Sequence, residues 1–346
     1  MYKVWNDPIK RATQRAQMRA LKARRRRKAW LKQKRKRVLG YSRRDQVYNE
    51  ARRTAVKVRA PKDFSLKRHP ESVFKFIADI KAIKDDPRAA SAFIELEHCT
   101  YLSSGTVALM ISAIKELKAN NITVSGSYPS SPESKSTLEK SGFFKFVIGR
   151  VSDENKVSLN TIIQQGVATV DPKLVAPYVV RAMDFIWGKK FRNPRIQSLL
   201  IELMANTVNH AFKKTKNSKW YLSVNFDNKN KKVAFTFIDN GQGILNTLHL
   251  KYGVLIKSML LNSNEDILIS AFDGKFGSRT KERKRGRGLP NVKRCFTENF
   301  IKNLVVISND VYLDFETGKS RKLKNVFEGT CYYWELDLDC ESWKIL

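Results

Sequence analysis

Three short polar segments in the C-terminal half of the chain combine residue types that could bind a nucleotide and hydrolyse it. In the first, Glu202, Asn206 and His210 recur every four residues, so a helix would align them on one face. An asparagine carbonyl oxygen can ligate Mg²⁺, and a carboxylate one turn earlier can deprotonate a water molecule near a terminal phosphate. Taken alone, this stripe is more typical of a surface or helix-packing pattern than of a site.

The second segment lies where a strand is expected to end. The apolar residues 233–238 predict a strand, and Asp239-Asn-Gly241-Gln-Gly243 follows it. Glycines at a strand exit let the backbone approach a ligand closely, and a buried carboxylate there can accept a hydrogen bond from an exocyclic amine. Asp-Asn-Gly is also a common turn sequence, so this segment alone is a weak indication.

The third segment, Gly286-Arg287-Gly288-Leu289, runs from a glycine-rich loop into a predicted helix. Backbone N–H groups at the N-terminus of a helix favour phosphate groups. A single Gly-x-Gly is common by chance, but the three segments occur in order and in compatible structural contexts. Together they predict three walls of one nucleotide pocket.

The three segments resemble motifs of the GHKL ATPases, the class that includes gyrase, heat-shock chaperones, histidine kinases and mismatch-repair proteins. Glu202-xxx-Asn206 is similar to the N box, Asp239-x-Gly241-x-Gly243 to the adenine-binding box, and Gly286-x-Gly288-Leu289 to the second glycine box. Segment 329–336, which begins Gly-Thr, looks like the closing strand of that family. The resemblance covers residues 191–346 and implies a Bergerat-type α/β sandwich with ATP and Mg²⁺ as cofactors.

The same resemblance implies a role for each matching residue. Glu202 would be the catalytic base, Asn206 a Mg²⁺ ligand, and Asp239 the contact to the adenine amine. Residues 245–285 would form a lid, in which Arg279 could reach the phosphates; a solvated basic loop is an equally good interpretation of these cations. The other positions expected at the cofactor are His210, Gly241, Gly243, Ile244, Gly286, Arg287, Gly288 and Leu289.

Residues 61–148 alternate predicted strands and helices, which indicates a small α/β unit. Segment 93–105, Phe-Ile-Glu-Leu-Glu-His-Cys-Thr-Tyr-Leu-Ser-Ser-Gly, together with the helix ending at Gly142-Phe143, resembles a STAS domain, the fold of anti-anti-sigma factors. In that family a serine at the strand-to-helix turn accepts phosphate, which implies Ser103, or Ser104 beside it. The family usually has an acidic residue before the serine, whereas this chain has Leu102. A serine that caps the following helix is the favoured alternative.

Residues 1–60 form a predicted basic arm. They hold 22 Lys and Arg against 3 acidic residues, so +19 of the formal net charge of +33 lies there. Asp7-Pro8 predicts a helix start, and Gly40 can end that helix. Dense cationic runs favour salt-sensitive contact with nucleic acid over a merely solvated tail. The expected nucleic-acid contacts are Arg24, Arg25, Arg26, Arg27, Lys28, Lys34, Arg35, Lys36 and Arg37.

The rest of the composition narrows the class of protein. The four cysteines form no Cys-x-x-Cys pair, which favours reduced thiols over disulfides or a metal site. No apolar run is long enough to span a bilayer, so we expect a soluble, cytoplasmic protein. The predicted organisation is α/β (α+β): a basic helical arm (1–60), a STAS-like domain (61–148), a linker (149–190) and a GHKL domain (191–346).

Three functions remain open from the sequence. The first is an ATP-dependent conformational switch that engages nucleic acid through its arm and could act as a homodimer. The second is an anti-sigma-type serine kinase that phosphorylates Ser103, Ser104 or a separate STAS-like partner. The third is a nucleic-acid-binding protein in which ATP only stabilises the fold.

Overall fold

The computed structural model of the protein describes residues 18–19, 21–31, 53–148, 161–166, 170–211, 219–259, 263–276 and 288–341, with the backbone alone at 161–166 and 209–211. The chain divides into two compact units, Met1–Ala55 and Val56–Leu346. In the first unit, residues 21–31 are helical and exposed. The predicted helix is therefore confirmed over residues 21–31. The nucleic-acid contacts at 24–28 stay a prediction, and those at 34–37 lie outside the described residues. Within the described ranges, no helix has the length and apolar character needed to cross a membrane.

Small parallel sheets and helices form the N-terminal part of the second unit. In chain order the elements are β1 (Val56–Arg59), β2 (Asp63–Phe64), α1 (Pro70–Ala82), β3 (Ser91–Glu95), β4 (Tyr101–Leu102), α2 (Ser104–Ala119), β5 (Thr123–Gly126), α3 (Pro132–Lys140) and α4 (Phe143–Ile148). β3 is the central strand of a β1-β3-β5 sheet, and β2 pairs with β4. Proline occupies the first turn of α1 and of α3, where its missing N–H costs nothing.

A five-stranded antiparallel sheet flanked by helices forms the C-terminal part. Its elements are β6 (Thr161–Gly166), α5 (Pro172–Trp187), α6 (Pro194–Ala211), β7 (Trp220–Asp227), β8 (Lys232–Asp239), α7 (Ile244–Ser258), α8 (Asn264–Phe272), α9 (Gly288–Thr297), β9 (Lys302–Asp314) and β10 (Lys319–Leu336). The strand order is β6-β7-β8-β10-β9, which makes β8 the central strand. Asp239, at the end of β8, stands opposite Trp220 of β7 and Thr330 of β10.

Helix α2 connects the two parts because it lies between two sheets. Every residue from 104 to 114 is buried, as expected for a helix that is apolar on all sides. One side of α2 contacts β5, and the other contacts β7 and β8. Beside it, Phe74 of α1 packs on Phe327 of β10 with ring centroids 5.0 Å apart. The result is a layered arrangement of small sheet, helices, large sheet and outer helices.

The large sheet contributes to a different hydrophobic core on each face. Val233, Phe235 and Phe237 of β8 pack with α5 and α6, whereas Ile238 packs with the N-terminal layers. Side chains alternate between the two faces of a strand, so Asp239 follows Phe237 onto the face that α6 covers. The position of the carboxylate thus follows from the register of a strand that is buried on both faces.

The mixed α/β class expected from the sequence is confirmed, and the structure corrects several boundaries. The two strands predicted at 304–308 and 311–315 are one strand, β9, bent at Asn309, whose φ is +55°. Residues 56–59, assigned to the arm, form β1, and the predicted linker supplies β6 and α5. The described part of the predicted lid contains α7 and α8. β1 alternates Val with Lys or Arg. This strand pattern does not stand out at the end of a long cationic segment.

Candidate functional site

Helix α6 packs on one face of the large sheet and carries the first polar segment, Glu202 to His210. Its N-terminus is capped by Asn193, whose Oδ1 accepts from the N–H groups of Arg195 and Ile196, each at 3.1 Å. The apolar face, which includes Leu199 and Leu203, is fully buried in the core beneath the helix. The residues that this packing leaves half-buried on another face include Glu202 and Asn206. The side chain of His210 lies outside the described residues.

The start of α9 lies directly against this polar face. A Cβ built on Gly288 would stand 3.2 Å from Oδ1 and Nδ2 of Asn206 and 3.2 Å from Oε2 of Glu202. A Cβ at that distance would fit only if the side chains of Asn206 and Glu202 shifted by a few tenths of an ångström. The first and third sequence segments therefore meet, and glycine at 288 is what allows the approach.

The amide of Asn206 is poised for a ligand. Its Nδ2 is buried and has no hydrogen-bond partner among the described residues. An unpaired buried amide costs about 1–3 kcal/mol, so such groups in native structures call for an explanation. The carboxylate of Glu202 forms no ion pair with the described residues either. Among the described residues, the Glu202 carboxylate and the Asn206 Nδ2 therefore lie side by side at Gly288 without an ion pair or a hydrogen-bond partner, respectively.

Asp239 ends β8 on the sheet face that α6 covers. The residue is 8% exposed, and one carboxylate oxygen accepts from the N–H of Gly241 at 2.9 Å. The hydroxyl and N–H of Thr330 also donate to the carboxylate. Burial raises the pKa of Asp239 to about 6, although these hydrogen bonds and the charge of Lys81 lower it. The carboxylate therefore stays ionised at neutral pH, within about a pKa unit of protonation.

Gly329 lets β10 pass close enough for Thr330 to reach that carboxylate. Its φ is +128°, and a Cβ there would lie 2.1 Å from the backbone oxygen of Asp239. The sequence pattern marks Gly329 and Thr330 only as part of a closing strand and does not place Thr330 at the site. The pairing of Thr330 with Asp239 across the sheet is long-range, so only the Gly-Thr pair itself could have signalled it.

The loop after Asp239 is fastened to β9. Ser308 Oγ accepts from the N–H of Ile244 at 2.7 Å, and Asn309 Oδ1 accepts from the N–H groups of Leu245 and Asn246 at 3.2 and 3.4 Å. The first N–H groups of α7 thus already have protein acceptors. The contact of Ile244 in this loop is made by its backbone N–H, which donates to Ser308. Ser308 and Asn309 were not predicted as site residues, because nothing in a buried strand marks them by pattern.

The remaining predicted site residues divide into two groups. Gly241, Gly243 and the half-buried Leu289 lie on the described elements around Asp239 and Gly288. Arg279, Gly286 and Arg287 lie outside the described residues. Within the described ranges, no three His, Cys, Asp or Glu side chains are grouped closely enough to hold a metal ion. All four cysteines are free and buried.

Ser103 and Ser104 lie on the opposite side of the large sheet from Glu202. Ser103 is the N-cap of α2, its Oγ accepting from the N–H of Thr106 at 3.3 Å, and Ser104 is 8% exposed. The helix-capping prediction for Ser103 is confirmed. Next to them, a Cβ on Gly105 would lie 2.4 Å from Thr236 Oγ1 of β8. The helix start is therefore seated on the back of the strand that ends at Asp239.

No protein-family model matches this chain, and no curated protein sequence matches it. Functional inference accordingly depends on the geometry around Glu202, Asn206, Asp239 and Gly288.

Proposed function

We propose that the protein binds ATP with Mg²⁺ and hydrolyses it slowly, using the nucleotide as a conformational switch in the manner of a GHKL ATPase. The carrying observation is the contact of Gly288 with both Glu202 and Asn206. Segments more than eighty residues apart in the sequence meet there, as a pocket built from these motifs requires. Asp239 lies on the same face of the sheet, which supports placing the adenine base at Asp239 and the phosphates near Gly288.

The residues present fit ATP and Mg²⁺. The unpaired Asn206 amide suits an oxygen-coordinated ion, since the Oδ1 and Nδ2 assignments of an amide exchange by a flip of the side chain. Asn206 would supply one ligand of Mg²⁺, an ion that usually keeps several waters and phosphate oxygens. Bound ATP·Mg²⁺ would supply the phosphoryl group and neutralise its developing charge.

Each chain residue then has a defined task. Asp239 accepts a hydrogen bond from an exocyclic amine, and its own hydrogen bonds from Gly241 and Thr330 fix its orientation. Glu202 holds and deprotonates the attacking water. Gly288 keeps the start of α9 against Glu202 and Asn206 without a side chain that would fill the space.

The switch would act through the layers behind the sheet. The N-terminal layers resemble a STAS domain, and α2 is seated on β8 through the contact of Gly105 with Thr236. A change at the end of β8 could pass through this contact to α2 and to a STAS-like partner bound there. Phosphorylation of Ser103 within the same chain is less well supported, because the sheet stands between that serine and Glu202.

Calorimetric titration with ATP·Mg²⁺ and a phosphate-release assay test the proposal. Glu202→Ala should still bind ATP but lose turnover by about 100-fold, the usual contribution of a general base. Asp239→Asn should lose most of the binding, whereas Asp227→Asn, at the far end of neighbouring β7, should behave as wild type. Wild-type protein that neither binds ATP nor is stabilised by it against heat would refute the proposal.

A further inference from the structure

Asn309 has an unusual position in the middle of a buried strand. It is 4% exposed, and its φ of +55° lies in the left-handed region. The pairing of β9 with β10 shifts register on both sides of the Asn309–Phe327 pair. Asparagine tolerates this conformation better than most side chains, but tolerance alone does not require an amide in the core.

The amide of Asn309 is used at both ends. Its Oδ1 accepts from the N–H groups of Leu245 and Asn246, and its Nδ2 donates to the carbonyl oxygen of Gln242 at 2.9 Å. An aspartate could provide only the acceptor and a lysine only a donor. One side chain therefore caps the first turn of α7 and holds the loop that follows Asp239.

Gly243 is shaped to receive this side chain. A Cβ on Gly243 would lie 2.3 Å from Asn309 Oδ1 and 2.7 Å from its Cγ, and the φ of Gly243 is +81°. The amide occupies the space that a side chain at 243 would need. The second glycine of the Asp239-x-Gly241-x-Gly243 segment is thus explained by packing against β9.

We propose that Asn309 is a positioning residue for base recognition, an inference that rests on the proposed binding of ATP. The loop of residues 240–243 is held at one end by the Gly241 N–H on Asp239 and at the other by Gln242 on Asn309. Releasing the second end lets the Gly241 N–H leave the carboxylate, so the carboxylate loses the orientation in which it discriminates an adenine amine from a guanine carbonyl. None of the hydrogen bonds of Asn309 reaches Glu202, Asn206 or Gly288.

The experiment compares ATP and GTP affinity by calorimetry, and amide hydrogen exchange over residues 241–246 by mass spectrometry. Asn309→Ala should weaken ATP binding about tenfold, equivalent to about 1.4 kcal/mol. GTP binding should change much less, so the preference for ATP falls, and exchange at 244–246 should rise. Asn309→Asp keeps the acceptor for the helix N–H groups, so it should keep their protection but still lose preference for ATP.

Asn303→Ala is the matched control, since Asn303 lies on the same strand with a φ of +52° and donates instead to Glu335. It should leave base preference and exchange at 241–246 unchanged. If Asn309→Ala does not fold, Asn309→Gly removes the same hydrogen bonds while accepting the left-handed backbone.

An unchanged ATP-to-GTP ratio in these variants would overturn the proposal, even if exchange rises, because Asn309 would then be only a helix cap. Equal losses for both nucleotides would overturn it as well. If the wild type binds neither nucleotide, the proposed function fails and the base-recognition role fails with it. If amide exchange at 244–246 is unchanged in Asn309→Ala, Asn309 does not hold the loop and the start of α7, whatever the nucleotide affinities are.

Discussion

Replacing Asp239 by Asn should stabilise the protein without nucleotide at neutral pH while weakening nucleotide binding. Burial raises the pKa of this carboxyl from its ordinary value of 3.8 to about 6 in the folded chain. Each pKa unit is worth about 1.4 kcal/mol, so keeping Asp239 ionised costs about 3 kcal/mol above pH 6. Asparagine removes that cost but loses about one hydrogen bond from Gly241 or Thr330, about 1 kcal/mol. The expected net gain at pH 7.5 is about 2 kcal/mol.

The sign of the effect depends on pH. The pKa of Asp239 is 3.8 in the unfolded chain and about 6 in the folded protein. Between about pH 4 and 6, the folded protein therefore holds more protons than the unfolded chain. The contribution of Asp239 to stability is therefore fully present below about pH 4 and is lost as pH rises through about 6. At pH 4 the substitution should destabilise by about 0.5 kcal/mol, because the lost hydrogen bond, about 1 kcal/mol, exceeds the remaining ionisation cost of about 0.5 kcal/mol.

Urea denaturation of both proteins at several pH values measures this difference, and the other titrating groups cancel in the comparison. Asp227→Asn is a control of opposite sign. Although burial raises the pKa of Asp227, hydrogen bonds from Asn230 and Lys229 lower it overall, so its stabilising contribution should be lost on acidification. A difference between Asp239→Asn and wild type that stays constant from pH 4 to 7.5 would show that no ionised, desolvated carboxylate is present at 239.

Further predictions concern three other places in the chain. Gly288→Ala should abolish nucleotide turnover while costing only about 1–3 kcal/mol of stability, because the added Cβ would lie 3.2 Å from Glu202 and Asn206. Circular dichroism checks that the variant folds, and normal turnover would contradict the proposed site. Gly105→Ala should destabilise by about 1–3 kcal/mol through its clash with Thr236, and adding Thr236→Ala should recover part of that loss in urea denaturation; no recovery would mean that the two residues do not share a packing contact. Removing residues 1–55 should lower the slope of log affinity for duplex DNA against log salt by up to about 8, since the nine cations predicted as contacts at 24–28 and 34–37 would contribute about 0.9 each. An unchanged slope would exclude the arm as the contact.

Local sequence signals predicted the elements that local physics determines. Pro132 and the serine before it mark the start of α3, and the apolar run after Lys232 marks β8. The same signals placed Glu202 and Asn206 on one helix and Asp239 at a strand end. Periodicity and capping need only neighbours in the chain, so these features could be read without the fold.

What could not be predicted depends on pairing between distant segments. Nothing near Thr330 in the sequence states that it stands opposite Asp239, and nothing near Asn309 states that Gly243 packs on it. The single bent β9 was predicted as two strands because Ser308-Asn309-Asp310 is typical of a turn. Inside the sheet those polar side chains are satisfied instead by long-range partners, such as Ile244 for Ser308.

The rear face of the large sheet is buried along the strands whose side chains the structure describes. Tyr221, Ile238, Val305, Ile307 and Cys331 on its rear face are each at most 1% exposed, because α1 and α2 cover them. A C-terminal part separated from the N-terminal layers would expose this apolar surface and become prone to aggregation. The two parts therefore share one hydrophobic core. A substitution on the rear face of the sheet must pack against both the sheet and the N-terminal helices, so sequence change in one part constrains the other.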